Sequence, residues 1–185
     1  YFNLSEQGVV TAKLACGDEF RPYSAAEISS VLLKHRLSYK GYTLFTGSIE
    51  PRKNIRTLLD AYERLPLPVR QKVPLVISGF KGWNSEDLHQ RFDRGEREGW
   101  LRYLGFTPSS ELPALFSGAI SFLFPSLYEG FGLPVLEAMA SGTPVVCSNS
   151  SSLPEVAGEN ALMCDAMDVE TLTRLIHKSL EDTIW

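Results

Sequence analysis

The sequence predicts an α/β fold in which helices flank a parallel β-sheet of about six strands. From residue 41 onward, short apolar runs alternate with amphipathic segments. Some of these runs, such as Leu75-Val76-Ile77, are apolar at successive positions, as expected for strands that are buried on both faces. Parallel neighbours need a crossover segment between them, and the amphipathic segments supply it. The expected architecture is therefore Rossmann-like.

The alternation resolves into six strands and six helices. We predict strands at Tyr42–Thr46, Leu75–Ser78, Leu101–Leu104, Ile120–Phe124, Pro144–Cys147 and Ala161–Cys164. We predict helices near residues 54–65, 85–98, 110–118, 133–141, 152–157 and 169–182. The first of these helices carries its apolar residues on one side, as a helix packed on a sheet does. These residues are Ile55, Leu58, Leu59, Tyr62 and Leu65.

The first 40 residues follow a different pattern. Val9–Leu14 is a strand candidate and Asp18–Pro22 is a turn candidate. Ser24 and Glu27 have the spacing of a capping box, which marks the start of a helix. The apolar residues expected on that helix are Ile28, Val31, Leu32 and Leu37. We therefore divide the chain into residues 1–40, a linker segment with an N-terminal helix, and residues 41–185, the main domain.

The composition excludes several classes of protein. The 185 residues are 44% hydrophobic and 22% charged, which is typical of a globular domain with one core. The net charge of −4 gives no support for a nucleic-acid partner, whose usual footprint is a clustered basic face. No apolar run approaches the roughly 20 residues needed to cross a bilayer, so we expect no transmembrane segment.

The cysteines and histidines show no metal-binding pattern. The three cysteines form no C-x-x-C pair, which favours a reduced, cytoplasmic setting. The three histidines fall on predicted polar faces of helices, where we expect them to be solvated. The cysteines are Cys16, Cys147 and Cys164, and the histidines are His35, His89 and His177. The sequence also contains no D-x-D pair. We therefore expect neither a metal nor a cofactor.

The candidate site lies beyond the carboxyl ends of the predicted strands, where open parallel sheets bind their ligands. Small or glycine-rich residues follow the strands at Gly47-Ser48, Gly79, Gly105, Pro125–Gly132 and Ser148–Ser152. A tight turn explains any one of these segments by itself. The segments at 46–54 and 129–138 also carry charged residues, which a turn alone does not need.

The first charged segment places two cations at the entrance of a helix. Arg52 and Lys53 oppose the helix dipole, which favours anions at that end. A polyphosphate between these cations and the helix amides would account for them. The alternative, two solvated surface cations, stays open on this chemistry alone.

The second charged segment combines two carboxylates with a glycine-rich turn. Gly130 and Gly132 let the backbone approach a ligand, and the amides of Phe131, Gly132 and Leu133 offer a nest for an anion. Glu129 in the loop and Glu137 in the following helix suit the hydroxyl groups of a sugar and a ribose. We expect Leu133, Leu136 and Ala140 to form the buried face of that helix. A capping glutamate and a solvated helix glutamate are the alternative interpretation.

These segments resemble a known family. The block E-G-F-G-L-P-V-L-E at 129–137 is followed by A-M-A-S-G-T-P-V-V, and it is preceded by E-P-R-K-N at 50–54 and L-G-F-T-P at 104–108. This pattern resembles the retaining glycosyltransferases of the GT-B architecture, group 1 (family four), over most of residues 10–182. The resemblance is to the C-terminal, donor-binding domain, one half of the two-domain architecture. Cys16–Pro22 looks like the segment that joins it to an N-terminal acceptor domain.

The resemblance implies a role for each matching residue. Glu129 would hydrogen-bond the hydroxyls of the transferred sugar, and Glu137 would accept the ribose hydroxyls. Lys53 would sit on the diphosphate, and Thr107 would meet the base through its backbone. The amides of Phe131, Gly132 and Leu133 would contact sugar and phosphate. Many relatives carry Arg where this chain has Ser48, so Arg52 is the expected second cation. The catalytic candidates are thus Glu129, Lys53 and Arg52; the donor-binding candidates are Gly47, Thr107, Gly130, Phe131, Gly132, Leu133 and Glu137.

The implied reaction transfers a hexose from a nucleotide diphosphate sugar to a saccharide acceptor with retention at the anomeric carbon. The run E-P-R-K-N looks most like mannosyltransferases of bacterial surface-polysaccharide assembly, which favours GDP-mannose over UDP-sugars as the donor. The acceptor, a saccharide or lipid-linked saccharide, would be held by an N-terminal domain that these residues lack. We expect a cytoplasmic protein, with peripheral attachment at the inner face of the membrane left open.

Other interpretations remain at this point. The domain would be truncated at both ends relative to the full enzyme, so these 185 residues are expected to bind the donor weakly and to transfer no detectable sugar. A nucleotide-sugar epimerase or a glucan synthase would share the donor site, and a non-catalytic nucleotide-sugar-binding module is a further alternative. An oxidoreductase-type Rossmann domain is disfavoured, because no G-x-G-x-x-G follows the first strand of the main domain.

Overall fold

A computed structural model describes residues 14–80, 82 and 86–181. The strand candidate at Val9–Leu14 lies outside this part of the chain except for its last residue, as do residue 85 of one predicted helix and residue 182 of another.

The centre of the structure is one sheet of six parallel strands. The strands are β1 (Thr43–Thr46), β2 (Leu75–Ser78), β3 (Leu101–Gly105), β4 (Ser121–Phe124), β5 (Val145–Ser148) and β6 (Leu162–Cys164). Their order across the sheet is β3-β2-β1-β4-β5-β6. Every neighbouring pair is parallel, which confirms the predicted Rossmann-like class and the number of strands. Each predicted strand differs from the observed one by at most one residue at either end.

Eight α-helices lie in the described part of the chain. They are α1 (Ala25–Lys34), α2 (Ile55–Glu63), α3 (Leu67–Lys72), α4 (Glu86–Arg97), α5 (Leu112–Gly118), α6 (Leu133–Ala140), α7 (Leu153–Ala157) and α8 (Val169–Glu181). Short 3-10 turns at Pro51–Lys53 and Ser109–Glu111 lead into α2 and α5. The sequence pattern did not predict α3, whose six residues include none that is buried.

The helices form two layers, and the chain changes layer between β1 and β4. Helices α1, α5, α6 and α7 contact one another in succession, whereas α2 contacts α3 and α8. Strands β1 and β4 are neighbours, yet the helices that follow them, α2 and α6, belong to different layers. Such a switch of winding opens a crevice at the carboxyl ends of the two strands. The fold therefore places the loops after β1 and β4 on the two sides of one crevice.

The core forms because the strands are apolar on both faces and each helix adds one apolar side. All four residues of β1, β2, β4 and β5 are buried. The predicted apolar side of α2 is confirmed, since Ile55, Leu58, Leu59 and Tyr62 are at most 1% exposed. Burying side chains of this size stabilises the fold by about 1.5–3 kcal/mol each before the opposing entropy is counted.

The N-terminal segment packs on this core through α1 and the residues before it. The carboxylate of Glu27 accepts hydrogen bonds from the backbone N–H and the hydroxyl of Ser24, both at 2.7 Å, which confirms the capping box. Ile28 and Leu32 are buried. Leu37 is buried as well, although it lies beyond the end of α1. The ring of Phe20 meets that of Phe116 edge-on at 5.7 Å.

Two predictions about helix faces are wrong. On α6, Val135 and Ala138 are the buried residues, while Leu133, Leu136 and Ala140 are only half-buried. The sheet lies beneath a different side of this helix than the spacing of leucines suggested. Two histidines are also not solvated: a ring nitrogen of His35 lies 2.6 Å from the carboxylate of Glu111, and His89 packs edge-on against Phe92 and Tyr103. Their partners are distant in sequence or aromatic, so helix periodicity does not reveal them.

The remaining composition-based expectations concern the cysteines and the membrane. Cys147 and Cys164 are buried free thiols on neighbouring strands. Burial raises the pKa of Cys147 to about 12 and that of Cys164 to about 11, which keeps both protonated and unreactive at neutral pH. Within the described ranges, no helix is both long and apolar enough to cross a bilayer.

Candidate functional site

The loops after β1, β4 and β6 are joined at the carboxyl edge of the sheet by Asn54. Its side-chain amide donates hydrogen bonds to the carbonyls of Pro125 at 3.0 Å and Ala166 at 2.6 Å. Asn54 has φ 55°, the left-handed conformation that asparagine tolerates better than most residues. The hydroxyl of Thr57 donates to its side-chain oxygen at 2.7 Å. This buried amide therefore fixes the spacing between the loops that carry the candidate charged residues.

The crevice between β1 and β4 holds a buried ion pair. The Nζ of Lys53 lies 2.7 Å from Oε1 of Glu129, and the two residues are only 6% and 8% exposed. The same ammonium lies 4.7 Å from the centre of the Phe124 ring, which adds a cation–π contact from the end of β4. A lysine and a glutamate that are 76 residues apart are thus held against each other at the sheet edge.

Arg52 is a second cation on the same carboxylate. Its NH1 lies 3.0 Å from Oε2 of Glu129, and its NH2 lies 2.7 Å from Oε1 of Glu50. The guanidinium side chain is 46% exposed, unlike Lys53. The backbone of this segment is also fixed, because the carbonyl of Arg52 accepts a hydrogen bond from the N–H of Leu127 at 2.8 Å. Glu129 therefore has a buried cation on one oxygen and a solvent-facing cation on the other.

Gly47 borders this charged cluster. A Cβ added at Gly47 would lie 3.3 Å from Cε of Lys53, and the residue has φ 140°. Gly79, at the end of β2, has no room at all, because its added Cβ would lie 1.8 Å from the Gly47 carbonyl oxygen. Both glycines are needed for the loops after β1 and β2 to pack this closely beside Lys53.

The glycine-rich turn between Glu129 and α6 is held by two serines. The backbone N–H of Glu129 donates to the hydroxyl of Ser151 at 2.9 Å. The hydroxyl of Ser152 lies 3.1 Å from the carbonyl of Glu129 and 2.7 Å from that of Phe131. Gly132 adopts φ 105°, where a side chain would both be strained and approach Leu153 to 2.7 Å. The turn is thus a fixed platform and not a loose connection.

The start of α6 supplies free backbone donors. The N–H groups of Phe131, Gly132 and Leu133 donate no hydrogen bond to any residue in the described ranges. Gly130 is exposed, and a Cβ added there would meet nothing within 4 Å. Unpaired amides at a helix N-terminus carry partial positive charge and favour an anion.

Glu137 lies in the second turn of α6, apart from the ion pair. It is half-buried, and its carboxylate forms no hydrogen bond or ion pair with the residues that the structure describes. Burial raises the pKa of Glu137, and the nearby carboxylate of Glu19 raises it further. The folded chain therefore holds an unpaired acid at this position, with a second acid as its neighbour.

Thr107 marks the end of β3. It is buried, and its hydroxyl oxygen lies 2.7 Å from the hydroxyl of Ser78 at the end of β2. The structure thus brings Gly47, Arg52, Lys53 and Glu129 into direct contact or close approach. It places Glu137 on α6 and Thr107 after β3, with no hydrogen bond from either to that cluster among the described residues.

Several residues of this region were not identified from the sequence. They are Glu50, Asn54, Ser151 and Ser152. The sequence held one signal for Asn54, because asparagine is favoured at the N-cap position of a helix, which it occupies in α2. Its hydrogen bonds to two other loops depend on tertiary structure. Across the described ranges, no three His, Cys, Asp or Glu side chains are grouped so that they could hold a metal ion.

A doubly wound α/β sheet binds its ligands at the switch point, which is where this chain carries Arg52, Lys53 and Glu129. The family model described as glycosyl transferases group 1 matches residues 34–184. The chain therefore belongs to the group 1 glycosyltransferase family.

Three comparisons show how this chain relates to known proteins. The O-antigen chain mannosyltransferase B of Escherichia coli is 50% identical over 184 residues, which cover 100% of this chain and 48% of that protein. The structure of Anabaena HepE in complex with UDP and glucose matches with a TM-score of 0.77 at 24% identity, over 91% of this chain and 46% of that one. The C-terminal domain of a group 1 glycosyl transferase from Francisella tularensis matches with a TM-score of 0.71 at 21% identity, over 89% and 86% of the two chains.

The coverages show how much of each relative's length this chain spans. The chain spans about half the length of the curated relative and of HepE, but most of the length of the isolated C-terminal domain. The two solved structures support the GT-B type of fold for this half. The structural neighbours and the family model together confirm the resemblance that the E-G-F-G-L-P-V-L-E block indicated.

Glu129 has two cationic partners, and we expect their removal to have unequal effects on stability. Replacing Lys53 by Met leaves a buried carboxylate oxygen without its partner, which should lower the free energy of unfolding by about 3 kcal/mol. Replacing Arg52 by Met should cost less than about 1 kcal/mol, because that side chain is half-exposed. Urea unfolding of the two variants measures the difference. Equal, small losses would show that the Lys53–Glu129 contact is not a buried constraint.

The unpaired acid predicts a pH-dependent effect on stability. Because the pKa of Glu137 is raised in the folded chain, its ionisation opposes folding as the pH rises above its ordinary value of 4.5. Glu137→Gln should therefore raise Tm near neutral pH and leave it unchanged below pH 4.5. Thermal unfolding across this range tests the sign, with the exposed Glu159→Gln as the matched control. A Tm change of Glu137→Gln that does not vary with pH would contradict the assignment.

Proposed function

We propose that the chain is the donor-binding domain of a retaining glycosyltransferase that transfers a hexose, with mannose favoured, from a nucleotide diphosphate sugar to a saccharide acceptor. The observation that carries the proposal is the buried Lys53–Glu129 pair with Arg52 at the switch point of the sheet. Family membership supports a transferase, and the E. coli relative, an O-antigen chain mannosyltransferase, favours mannose and surface-polysaccharide synthesis.

In this proposal the donor replaces an interaction that the free chain makes within itself. Without a ligand, Lys53 and Arg52 both neutralise Glu129. A diphosphate presents more negative charge and more acceptor oxygens than one carboxylate, so it competes for both cations. Glu129 is then released from Lys53 and turns to the sugar hydroxyls. The same residues thus exchange an internal ion pair for two contacts with the donor.

The neighbouring groups take the remaining parts of the donor. The free amides of Phe131, Gly132 and Leu133 face the phosphate or the sugar, at the positive end of α6. Gly47 and Gly130 leave room for the donor to approach the backbone. Glu137 has a carboxylate without a partner and accepts the ribose hydroxyls, while Thr107 meets the base through its backbone.

The chemical step follows from these positions. Departure of the sugar leaves charge on the diphosphate, and fixed cations and amides stabilise that charge most effectively where water is excluded. Lys53 is the buried cation of the site, so it carries most of this stabilisation. The acceptor is expected on a part of the protein that would complete the GT-B pair, in a cytoplasmic protein.

A calorimetric panel of nucleotides tests the proposal. We expect GDP and GDP-mannose to bind the chain more tightly than UDP, ADP and their sugars. Lys53→Ala should weaken GDP binding by at least about tenfold, because a charge-assisted hydrogen bond is lost. Lys72→Ala, which removes an exposed lysine at the end of α3, serves as the control and should have no effect.

The proposed exchange of partners predicts that removing the charge of Glu129 has opposite effects on the binding of GDP and on the contribution of the sugar. Glu129→Gln should strengthen binding of GDP, since the cations no longer have an internal carboxylate, and should reduce the extra affinity that mannose confers on GDP-mannose. A chain that binds none of these nucleotides would overturn the proposal. A Glu129→Gln variant with unchanged affinity for both ligands would remove Glu129 from the donor site.

A further inference from the structure

A cavity of about 480 Å³ lies between α1 and the start of α5. Its lining is mixed: Ile28 and Val31 on one side and Pro113 and Ala114 on the other are apolar, and the other five lining residues carry polar groups. Glu19 and Ser109 are among the polar residues at its border. Cavities of roughly 300–1,000 Å³ with apolar walls and a few polar groups are the usual sites for small ligands. A ligand that has both apolar faces and polar groups suits this arrangement.

The cavity adjoins the proposed donor site from two directions. Ser109 comes two residues after Thr107, at the end of β3. Glu19 is near enough to Glu137 for its charge to raise the pKa of that carboxyl. The cavity is therefore a neighbour of both residues that the proposed function gives to the nucleoside.

Glu19 is held in place by its backbone while its carboxylate stays free. The hydroxyl of Tyr23 donates a hydrogen bond to the Glu19 carbonyl at 2.9 Å, and the N–H of Phe20 donates to the carbonyl of Gly17 at 3.1 Å. The Glu19 carboxylate forms no hydrogen bond or ion pair with any residue in the described ranges. Glu27, which also lines the cavity, is already bonded to Arg21 and Ser24.

We propose that this cavity receives the nucleobase of the donor and that the Glu19 carboxylate selects guanine. The inference rests on the proposed function, since it names the base that the same site recognises. Guanine carries two adjacent donors, N1–H and the 2-amino group, and a carboxylate accepts both in a pair of charge-assisted hydrogen bonds. Uracil places a carbonyl on each side of its one N–H, and adenine places a ring lone pair beside its amino group. A carboxylate repels those acceptor atoms, so it favours guanine and disfavours the other two.

The test compares GDP with inosine diphosphate, which lacks only the 2-amino group. The unmodified chain should bind GDP about tenfold more tightly, because a site built to accept a donor rejects the analogue without it. In Glu19→Gln this preference should fall below about threefold, since the neutral amide cannot accept both donors. Asp18→Asn removes the same charge from the adjacent exposed residue, which does not border the cavity, and should keep the full preference. Isothermal calorimetry measures each affinity, and an unchanged Tm verifies that each variant is folded.

The outcomes separate this inference from the function on which it rests. A GDP preference that Glu19→Gln abolishes and Asp18→Asn keeps supports the assignment. A chain that binds GDP but keeps the same GDP-to-IDP ratio in Glu19→Gln overturns the role of Glu19 and leaves the donor-binding function standing. Tighter binding of UDP than of GDP overturns the guanine assignment in the same way. No binding of any nucleotide overturns both.

Discussion

The contact between Lys53 and Glu129 is the constraint on which the site depends. Transferring two charges from water into a protein interior costs several kcal/mol per ion, and only close geometry with further hydrogen bonds offsets that cost. Here Arg52 provides the second cation for Glu129, and the Phe124 ring faces the lysine ammonium. A pair of apolar residues would fill this space without that cost. The charges are better explained by a ligand that takes one of them over than by stability alone.

The fold keeps the side chains of Lys53 and Glu129 away from solvent and in contact with each other. Lys53 follows β1 and Glu129 follows β4, and these two strands are hydrogen-bonded neighbours. The helices that follow them, α2 and α6, belong to different layers. Asn54 ties the two loops to each other and to Ala166 in the loop after β6, while Ser151 and Ser152 hold the turn from the side of α7. These hydrogen bonds hold the backbone of the loops in place, so the arrival of an anion requires only the exchange of side-chain partners at Glu129. A preorganised backbone loses less entropy on binding.

Much of the fold could be predicted because its signal is local. The strand at Leu75–Ser78 was predicted to the residue, since four consecutive apolar or small residues between a proline and a glycine leave few alternatives. The charged segments could be assigned to one sheet edge, yet the direct pairing of Lys53 with Glu129 could not, because it joins residues 76 positions apart. The predictions of the buried face of α6 and of a solvated His35 were wrong for the same reason: tertiary neighbours decided both. The roles of the individual residues in donor binding stay predictions.

In the proposed function, a diphosphate displaces Glu129 from its cations. A crystal structure of the chain with GDP tests this claim most directly. We expect Nζ of Lys53 to contact a phosphate oxygen and its distance to Glu129 to grow from 2.7 Å to beyond about 4 Å. A diphosphate bound elsewhere on the surface, with Lys53 and Glu129 still paired at 2.7 Å, would contradict it.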